Sequence, residues 1–293
     1  MTCKSDRAGR RHLRNQTLAV ALSAVVASTT MTGIAAAADL GDDLLRGSLL
    51  PSFETQSYTD WSGVNVGVYY GWSNQSSDFG SASSDLIAYS LRNTIIENEA
   101  HVSQWTTGGK STTNAGSYGA FVGYSYAIEP RLIVGADITY TRFASSPWSA
   151  FSEDMRRSYR TSDSDLYGVH LTTDSRLKVK DYTTLRGRLG YAFGQFLPYA
   201  VLGVAAGRVD VERMAKIEMI SVDTNGALTG SHYDVQTSNR STFAYGLVAG
   251  LGIDAMIMPN LFLRAEYEFV QFAPIDGIKA NLQTGRVGLG MKF

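Results

Sequence analysis

The chain has 293 residues, of which 44% are hydrophobic and 18% charged, and its formal net charge at pH 7 is −1. This near-neutral balance implies no basic surface for binding nucleic acid. The only cysteine, Cys3, lies in a segment that we expect to be removed, so the mature chain should have no disulfide and no cysteine-ligated metal.

The amino terminus is typical of a secretory signal peptide. Five basic residues lie between Lys4 and Arg14, and a run of small and apolar residues follows from Thr17 to Ala38. The alanines at 36 and 38 predict cleavage before Asp39, and removal of residues 1–38 takes the net charge to −5. The alternative is an uncleaved membrane anchor, because the run approaches the roughly 20 residues that span a bilayer.

Residues 39–60 are predicted to be a periplasmic lead-in without a fold of its own. Eight segments follow in which apolar residues alternate with small or polar ones, the period of two that is typical of β-strands. In chain order they are Trp61 to Trp72, Gly116 to Ile128, Leu132 to Phe143, Val179 to Phe193, Leu197 to Val211, Phe243 to Ile257, Leu261 to Phe272 and Asn281 to Phe293. In the fifth segment the two faces are similar, and only Arg208 and Asp210 indicate which face is polar.

The connections between these segments favour a membrane barrel over a soluble sandwich. Three of them are tight turns, Glu129–Arg131, Gly194–Phe196 and Met258–Asn260, and these alternate with connections of about 30 to 45 residues. A soluble β-sandwich has no reason to sort its loops by length in this way. The pattern predicts an all-β fold, an eight-stranded antiparallel up-and-down transmembrane β-barrel over residues 61–293, with long extracellular loops.

Aromatic residues and loop patterns refine this prediction. Trp61 and Trp72 bracket the first strand, as expected at membrane interfaces. Residues 214–222 alternate again and precede Asp223–Gly226, a strong hairpin signal, so strands five and six should continue above the membrane as a ribbon. The apolar patch Leu86–Ile96 in the first long loop predicts either a short amphipathic helix or a further strand.

The second long loop carries a basic group, Arg156, Arg157 and Arg160, beside Asp163 and Asp165. Such a mixture of charges predicts a solvated surface in the first place. In the second place it predicts contact with the anionic lipopolysaccharide of an outer membrane.

Short motifs in several strands resemble a known family. They are Asp60-Trp61-Ser62-Gly63 with the strand that follows, Leu185 to Tyr191, Leu263 to Tyr267 and Gly288 to Phe293. These residues resemble the small eight-stranded outer-membrane β-barrel proteins, often labelled porin-family or outer-membrane immunogenic proteins. The resemblance covers the strands and not the loops. It implies a structural or immunogenic surface protein, and some members of the family are haem-binding surface proteins.

Charged residues fall on the face of the strands that is predicted to line the barrel interior. They are Asp137, Arg186, Arg188, Arg208, Asp210, Asp254, Arg264, Glu266, Glu268, Arg286 and Lys292, six basic and five acidic. An eight-stranded barrel is only just wide enough for its own side chains, and unpaired buried charges cost several kcal/mol each. The near balance therefore predicts a mutually paired plug, with a narrow polar pore as the alternative.

Catalysis has little support in the sequence, and we predict that the protein is not an enzyme. The histidines of the mature chain, His101, His170 and His232, fall in the long loops, where a catalytic base is poorly preorganised. With Tyr89, Tyr167 and Tyr233 they would coordinate haem iron or a transition metal if the loops converged. Ordinary solvated loop residues are the simpler interpretation, and no metal-binding motif is present. We therefore predict no metal site and no confident cofactor site.

The last strand alternates Val287, Leu289, Met291 and Phe293 with small and basic residues. This pattern is typical of the strand that outer-membrane barrels present to their assembly machinery, so Phe293 is predicted to be an assembly signal. We expect the protein in the bacterial outer membrane, with membrane lipids, lipopolysaccharide, the assembly machinery and host or environmental ligands as partners. The expected role is structural or surface interaction; a narrow porin is the first alternative and a haem-binding receptor the second.

Overall fold

The computed structural model of the protein describes residues 60–106 and 108–293. The predicted signal peptide, 1–38, and nearly all of the predicted lead-in lie outside the described residues, so both stay predictions. The described elements are β1 Gly63–Asp78, α1 Ser84–Ser90, α2 Ile95–Ala100, a 3₁₀ helix Val102–Gln104, β2 Lys110–Ala127, β3 Leu132–Phe143, β4 Ser149–Arg160, β5 Leu166–Tyr191, β6 Phe196–Val222, β7 Leu228–Met258, β8 Leu261–Phe272 and β9 Lys279–Lys292.

Eight of these nine strands form a closed antiparallel ring. The order around the ring is β1, β2, β3, β5, β6, β7, β8, β9, and β9 pairs again with β1. The ring is completed between β3 and β5, where Leu132 lies opposite Tyr191 and Arg142 opposite Asp181. The predicted eight-stranded barrel is confirmed. Among the described residues no helix is long and apolar enough to cross a membrane.

The tight turns lie where the sequence predicts them. Phe193 and Phe196 exchange backbone hydrogen bonds of 2.7 and 3.1 Å around Gly194, whose φ of +60° favours glycine. At the same end of the barrel, Val64 and Phe293 exchange backbone hydrogen bonds of 3.1 and 2.8 Å. Short turns mark the periplasmic end of an outer-membrane barrel, so the long connections lie at the extracellular end.

The outward faces of the barrel strands are apolar. On β7, Phe243, Tyr245, Leu247 and Leu251 are each more than 60% exposed, whereas Asp254 on the opposite face is 1% exposed. Large apolar side chains that alternate with buried polar ones form the lipid-facing band of a membrane barrel. The residues with exposed apolar side chains on β9 are Val287, Leu289 and Met291, and Phe293, which directly follows the strand, is exposed as well, as predicted.

Trp61 does not lie at the membrane interface as predicted. It is 4% exposed and packs inside the barrel, with its ring centroid 6.4 Å from that of Phe262. The reason is that Trp61 precedes β1, so the chain places it across the periplasmic mouth rather than on the outward face.

Three strands continue far beyond the membrane barrel. Residues 181–191 of β5 pair with β3, whereas residues 166–177 pair with β4, which lies outside the ring. β6 and β7 stay paired up to a hairpin at Asp223, whose carboxylate accepts 2.8 Å hydrogen bonds from the backbone of Asn225 and Ala227. The predicted ribbon is confirmed, and the second long loop widens it by adding β4.

We call the part above the barrel the extracellular sheet. It consists of β4 and the distal parts of three long strands, residues 166–179 of β5, 209–222 of β6 and 228–242 of β7. Its inner face is covered by the two helices of the first long loop, because Ile87 and Ile96 are fully buried in one apolar cluster with Leu171. The helical alternative predicted for the patch Leu86–Ile96 is therefore correct.

A charge placed in the lipid-facing band should destabilise the barrel. Leu202 is 70% exposed on the outward face of β6, about midway between the periplasmic turn and the first outward charge. We expect Leu202→Arg to lower the free energy of unfolding in lipid vesicles by about 2–4 kcal/mol, because arginine is costly at the midplane of a bilayer. The control Thr237→Arg, on the extracellular sheet, should change it by less than about 0.5 kcal/mol in denaturant titrations. Equal effects of the two substitutions would place Leu202 outside the membrane.

Candidate functional site

Arg186 lies at the centre of the barrel interior and connects three carboxylates. Its Nε donates to Asp137 Oδ1 at 2.7 Å, and its Nη1 donates to Glu266 Oε1 at 2.5 Å and to Glu268 Oε2 at 2.6 Å. Arg286 shares two of these carboxylates, with Nη2 2.9 Å from Glu268 Oε2 and in contact with Glu266. All five side chains are at most 2% exposed.

A second group of charges lies beside the first. Arg264 Nε and Nη2 bind the two carboxylate oxygens of Asp254 at 2.9 and 3.0 Å, and Arg188 binds the same carboxylate. The guanidinium of Arg188 also lies 3.7 Å from the ring centroid of Tyr199. These two arginines and the pair in the first group face four carboxylates, so the buried charges balance.

The strand register explains why these charges meet. Asp137 lies directly opposite Arg186 in the pairing of β3 with β5, and Glu266 lies opposite Arg286 in the pairing of β8 with β9. Side chains directly opposite each other on neighbouring strands lie within about 5.5 Å at Cβ. Arg264 likewise lies opposite Asp254, so cross-strand pairing places an anion directly opposite three of the four buried arginines; Arg188, opposite Gly135 and Val201, reaches Asp254 with its side chain.

Tyrosine hydroxyls add hydrogen bonds to two of the carboxylates. Tyr182 donates to Glu268 Oε1 at 3.0 Å, and Tyr199 donates to Glu266 Oε2 at 2.8 Å. The sequence analysis missed these two tyrosines, although each lies on the inward face of its strand, and this alternation was the signal that identified the charges.

Apolar layers lie on both sides of the charged layer. On the periplasmic side, Trp61, Phe121, Leu197 and Phe262 belong to one buried cluster. On the extracellular side, a larger buried cluster contains Phe79, Phe143, Val209, Val248, Phe272 and Leu282. A hydrated ion on the barrel axis would have to cross both layers as well as the paired charges. The arrangement is that of a filled interior.

The structure corrects two of the predicted interior charges. Arg208 and Asp210 lie on the outward face of β6, with 56% of the Arg208 side chain exposed. The prediction was wrong because the inward face of this strand is largely apolar, and an apolar face next to a charged one predicts that the charged face lines the interior. Lys292 lies at the periplasmic mouth, where it contacts Asp60, and the other eight predicted residues are buried in the interior.

The inner face of the extracellular sheet is tied to α1 by polar contacts. Ser90 donates to Asp234 Oδ2 at 2.5 Å and lies 3.3 Å from His232 Nε2. The pKa of Asp234 is lowered from its ordinary value, mainly by the hydrogen bond from Ser90 and secondly by a hydrogen bond from Gln236. At the other end of α1, Arg213 of β6 donates to Asp85 at 2.6 Å.

The outer face of the extracellular sheet carries a groove of about 740 Å³. Gly168 lies at the floor of the groove, in the middle of the four strands. Because glycine has no side chain, the groove is open at this point; a side chain there would contact Ile220. The outward-facing lining residues are Arg156, Ser158, Gly168, His170, Glu218, Ile220, Ser231 and Tyr233. The lining therefore combines hydroxyl, charged and aromatic groups.

His170 forms the lower edge of this groove and connects three strands. Its Nδ1 is 2.7 Å from Glu218 Oε2 on β6, and its Nε2 is 2.7 Å from Asp154 Oδ1 on β4. The pKa of Glu218 is lowered, first by its hydrogen bond from Lys216 and then by the one from His170. Both ring nitrogens of His170 are thus engaged within the sheet.

The structure does not bring the three predicted haem-binding histidines together. His170 and His232 lie in strands, not in irregular loops, and point to opposite faces of the extracellular sheet. His101 ends α2 in a left-handed conformation with a φ of 48°. Among residues 60–106 and 108–293 no group of three His, Cys, Asp or Glu side chains could hold a metal ion.

The closed ring, the apolar outward band and the filled interior agree with a comparison to known families. Residues 24–293 match the family described as the outer membrane protein beta-barrel domain. The chain belongs to this family. It is therefore an integral β-barrel protein of the bacterial outer membrane, and the resemblance expected from the strand motifs is confirmed.

Individual relatives match over shorter lengths. The chain is 29% identical over 110 residues to the 25 kDa outer-membrane immunogenic protein of Brucella ovis. The matched segment covers 38% of this chain and 42% of that protein. The chain is 26% identical over 121 residues to the 22 kDa outer membrane protein of Rhizobium leguminosarum bv. viciae, 38% and 46% of the two chains. The chain thus spans less than half the length of these relatives.

Among solved structures, Ail, the attachment invasion locus protein of Yersinia pestis, aligns with 79% of this chain and 99% of its own. The TM-score is 0.36 and the sequence identity 14%, so this likeness carries no conclusion about function.

Removing one carboxylate from the interior should destabilise the barrel strongly. Glu266→Gln leaves Arg186 and Arg286 with one compensating charge fewer in a site that water does not reach. We expect the free energy of unfolding to fall by about 3–5 kcal/mol, the usual cost of an uncompensated buried charge. Glu129→Gln, in an exposed periplasmic turn, is the matched control and should cost less than about 0.5 kcal/mol. A loss for Glu266→Gln no larger than that of the control would show that the interior charges are solvated.

The contact between α1 and Asp234 should weaken in acid. Because the pKa of Asp234 is lowered by folding, its contribution is complete above the unfolded value of about 4 and is lost as the pH falls through the folded value. At neutral pH, α1 amides should exchange hydrogen a few-fold more slowly in the wild type than in Asp234→Asn. This difference should close at low pH. A difference that persists at every pH would contradict the assignment.

Proposed function

We propose that this protein is a non-conducting outer-membrane barrel that carries an extracellular sheet for surface interactions. The observation that supports the proposal best is the balanced Arg–carboxylate interior, in which Arg186 and its partners lie between two apolar layers. A filled interior leaves the outward and extracellular surfaces as the parts that meet other molecules.

The narrow pore, the main alternative, requires a continuous water path along the barrel axis. The cavity lined by Trp61, Arg188 and Asp254 near the periplasmic mouth has a volume of about 10 Å³, room for a single water molecule. Tyr182 and Tyr199 also donate hydrogen bonds to Glu268 and Glu266, which hold these two carboxylates in place beside the arginines.

The polar contacts on the extracellular sheet do not favour catalysis. Ser90, His232 and Asp234 lie together, but Asp234 accepts from the serine hydroxyl and not from the histidine ring. In a catalytic triad the carboxylate orients the histidine, and the histidine takes the proton of the serine. We therefore propose a non-enzymatic role.

The extracellular sheet is the proposed contact surface for host or environmental ligands. Its support is the groove on the outer face, which is held in shape by the bonds of His170 to β4 and β6. For the assembly machinery, we propose β9 as the recognised strand. Phe293 extends this strand with its side chain 70% exposed toward lipid.

Conductance measurements test the closed barrel. Purified protein in planar bilayers should give no current steps above those of protein-free membranes. A variant in which residues 80–109 are replaced by a short turn should also stay closed, because the charged layer lies within the barrel and not in the loop.

Regular steps from the wild type would overturn the closed barrel in favour of a pore. Steps from the shortened variant alone would show that the first long loop, and not the interior charges, blocks conduction. Circular dichroism of both proteins serves as the control for folding.

A further inference from the structure

The outward face of the barrel changes from apolar to charged at one level on three neighbouring strands. On β3, Tyr140 is followed by Arg142; on β6, Val204 and Ala206 are followed by Arg208. On β5, Leu185 is followed first by the uncharged Thr183, opposite Tyr140, and then by Asp181, opposite Arg142. These charges are not accounted for by the filled interior, since their side chains point away from it.

The register brings the charges of the three strands into one row. Arg142 lies opposite Asp181, and Asp181 lies opposite Arg208. Adjacent strands are about 4.8 Å apart, so the Cα atoms of the two arginines are separated by roughly 10 Å. Tyr140 donates a 3.3 Å hydrogen bond to Asp181, which places the row directly beside the uppermost tyrosine of β3.

A β-bulge adds further charge to this row. The register of β5 against β6 shifts between Val179 and Asp181, so Lys180 is the extra residue. Lys180 forms an ion pair of 2.8 Å with Asp210, and its side chain stays 44% exposed. Lys178 lies two residues further from the membrane, with its amine 5.7 Å from the ring centroid of Trp148.

We call Arg142, Lys178, Lys180 and Arg208 the basic patch. The two carboxylates among them, Asp181 and Asp210, balance only two of the four cations. Arg142 is exposed and, in the part of the chain that the structure describes, forms no ion pair within 4 Å, although it attracts Asp181 at longer range. The patch therefore keeps a surplus of two positive charges at the edge of the lipid-facing band.

The other side of the barrel has no such surplus at the corresponding positions. The first polar outward side chains above the apolar band are Asn74 on β1, Asn114 on β2, Gln271 on β8 and Gln283 on β9, all of them uncharged. A general preference for cations near a membrane surface would affect all strands alike. The one-sided surplus indicates a specific anionic partner.

We propose that the basic patch binds the phosphate of a phosphorylated glycolipid in the surrounding outer leaflet. The patch lies above Leu185, Val204 and Tyr140, which are exposed on the lipid-facing band. The group at this height is therefore the headgroup of a lipid whose chains cover that same band. Guanidinium and ammonium groups are the usual ligands of phosphate in proteins, and Arg142 supplies one that is not already paired. The inference does not depend on whether the barrel conducts.

Native mass spectrometry of the purified full chain tests the proposal. The protein is mixed in detergent with diphosphorylated lipid A, with dephosphorylated lipid A or with phosphatidylglycerol, and the bound fraction is compared. The double variant Arg142→Gln, Lys180→Gln removes two cations from the basic patch. The control Lys110→Gln, Lys279→Gln removes two exposed cations from the opposite side of the barrel.

We expect the wild type and the control to prefer diphosphorylated lipid A over both other lipids. The patch variant should bind it about 30-fold more weakly, because each cation near a charged membrane surface contributes roughly a fivefold attraction. Arg142→Gln alone, which breaks no ion pair, should lose about fivefold and covers the case in which the double variant does not fold.

Equal binding of the phosphorylated and dephosphorylated forms by the wild type would overturn the proposal. So would equal losses in the patch variant and the control, since net charge alone would then explain the binding. Phosphatidylglycerol bound as firmly as lipid A would show attraction to any anionic lipid and would also overturn it.

Discussion

The fold depends on charge balance in a space too narrow for water. An eight-stranded barrel must be filled by its own side chains, and here the centre is filled by guanidinium and carboxylate groups rather than by apolar residues alone. Such groups are tolerated only when each has a partner, because an isolated charge in this environment costs several kcal/mol. Arg186 reaches carboxylates on two other strands, one next to its own and one across the barrel, so the plug fixes the positions of strands that are distant in sequence.

Strand alternation was enough to predict much of this architecture. It identified the eight barrel strands, the tight turns and most interior charges, because one face must meet lipid and the other a polar interior. It failed for Arg208 and Asp210, where the inward face of β6 is made of residues such as Val201 and Ala205 and looks like a lipid-facing set. An outward-facing charge is tolerated when it lies above the lipid-facing band. The alternation of residues along a strand shows which face a residue is on, but not how far it lies from the membrane.

The extracellular part was only partly predictable. The alternating residues after Met214 and the turn residues at Asp223 predict the ribbon, because both patterns depend only on neighbouring residues in the sequence. The sequence of β4 has little apolar content and predicts a charged loop; the strand forms because its backbone pairs with β5, a tertiary contact that the local sequence does not show. The histidines were misread for the same reason: only the pairing shows that His170 and His232 occupy opposite faces.

The four strands of the extracellular sheet bring together residues that are far apart in the chain. Around Gly168, the outer face presents Arg156, Glu218 and Tyr233, which come from three separate stretches of sequence. A large partner that recognises this face reads a discontinuous epitope. A short linear peptide copied from any one strand lacks the residues that the neighbouring strands contribute, so it cannot reproduce this surface.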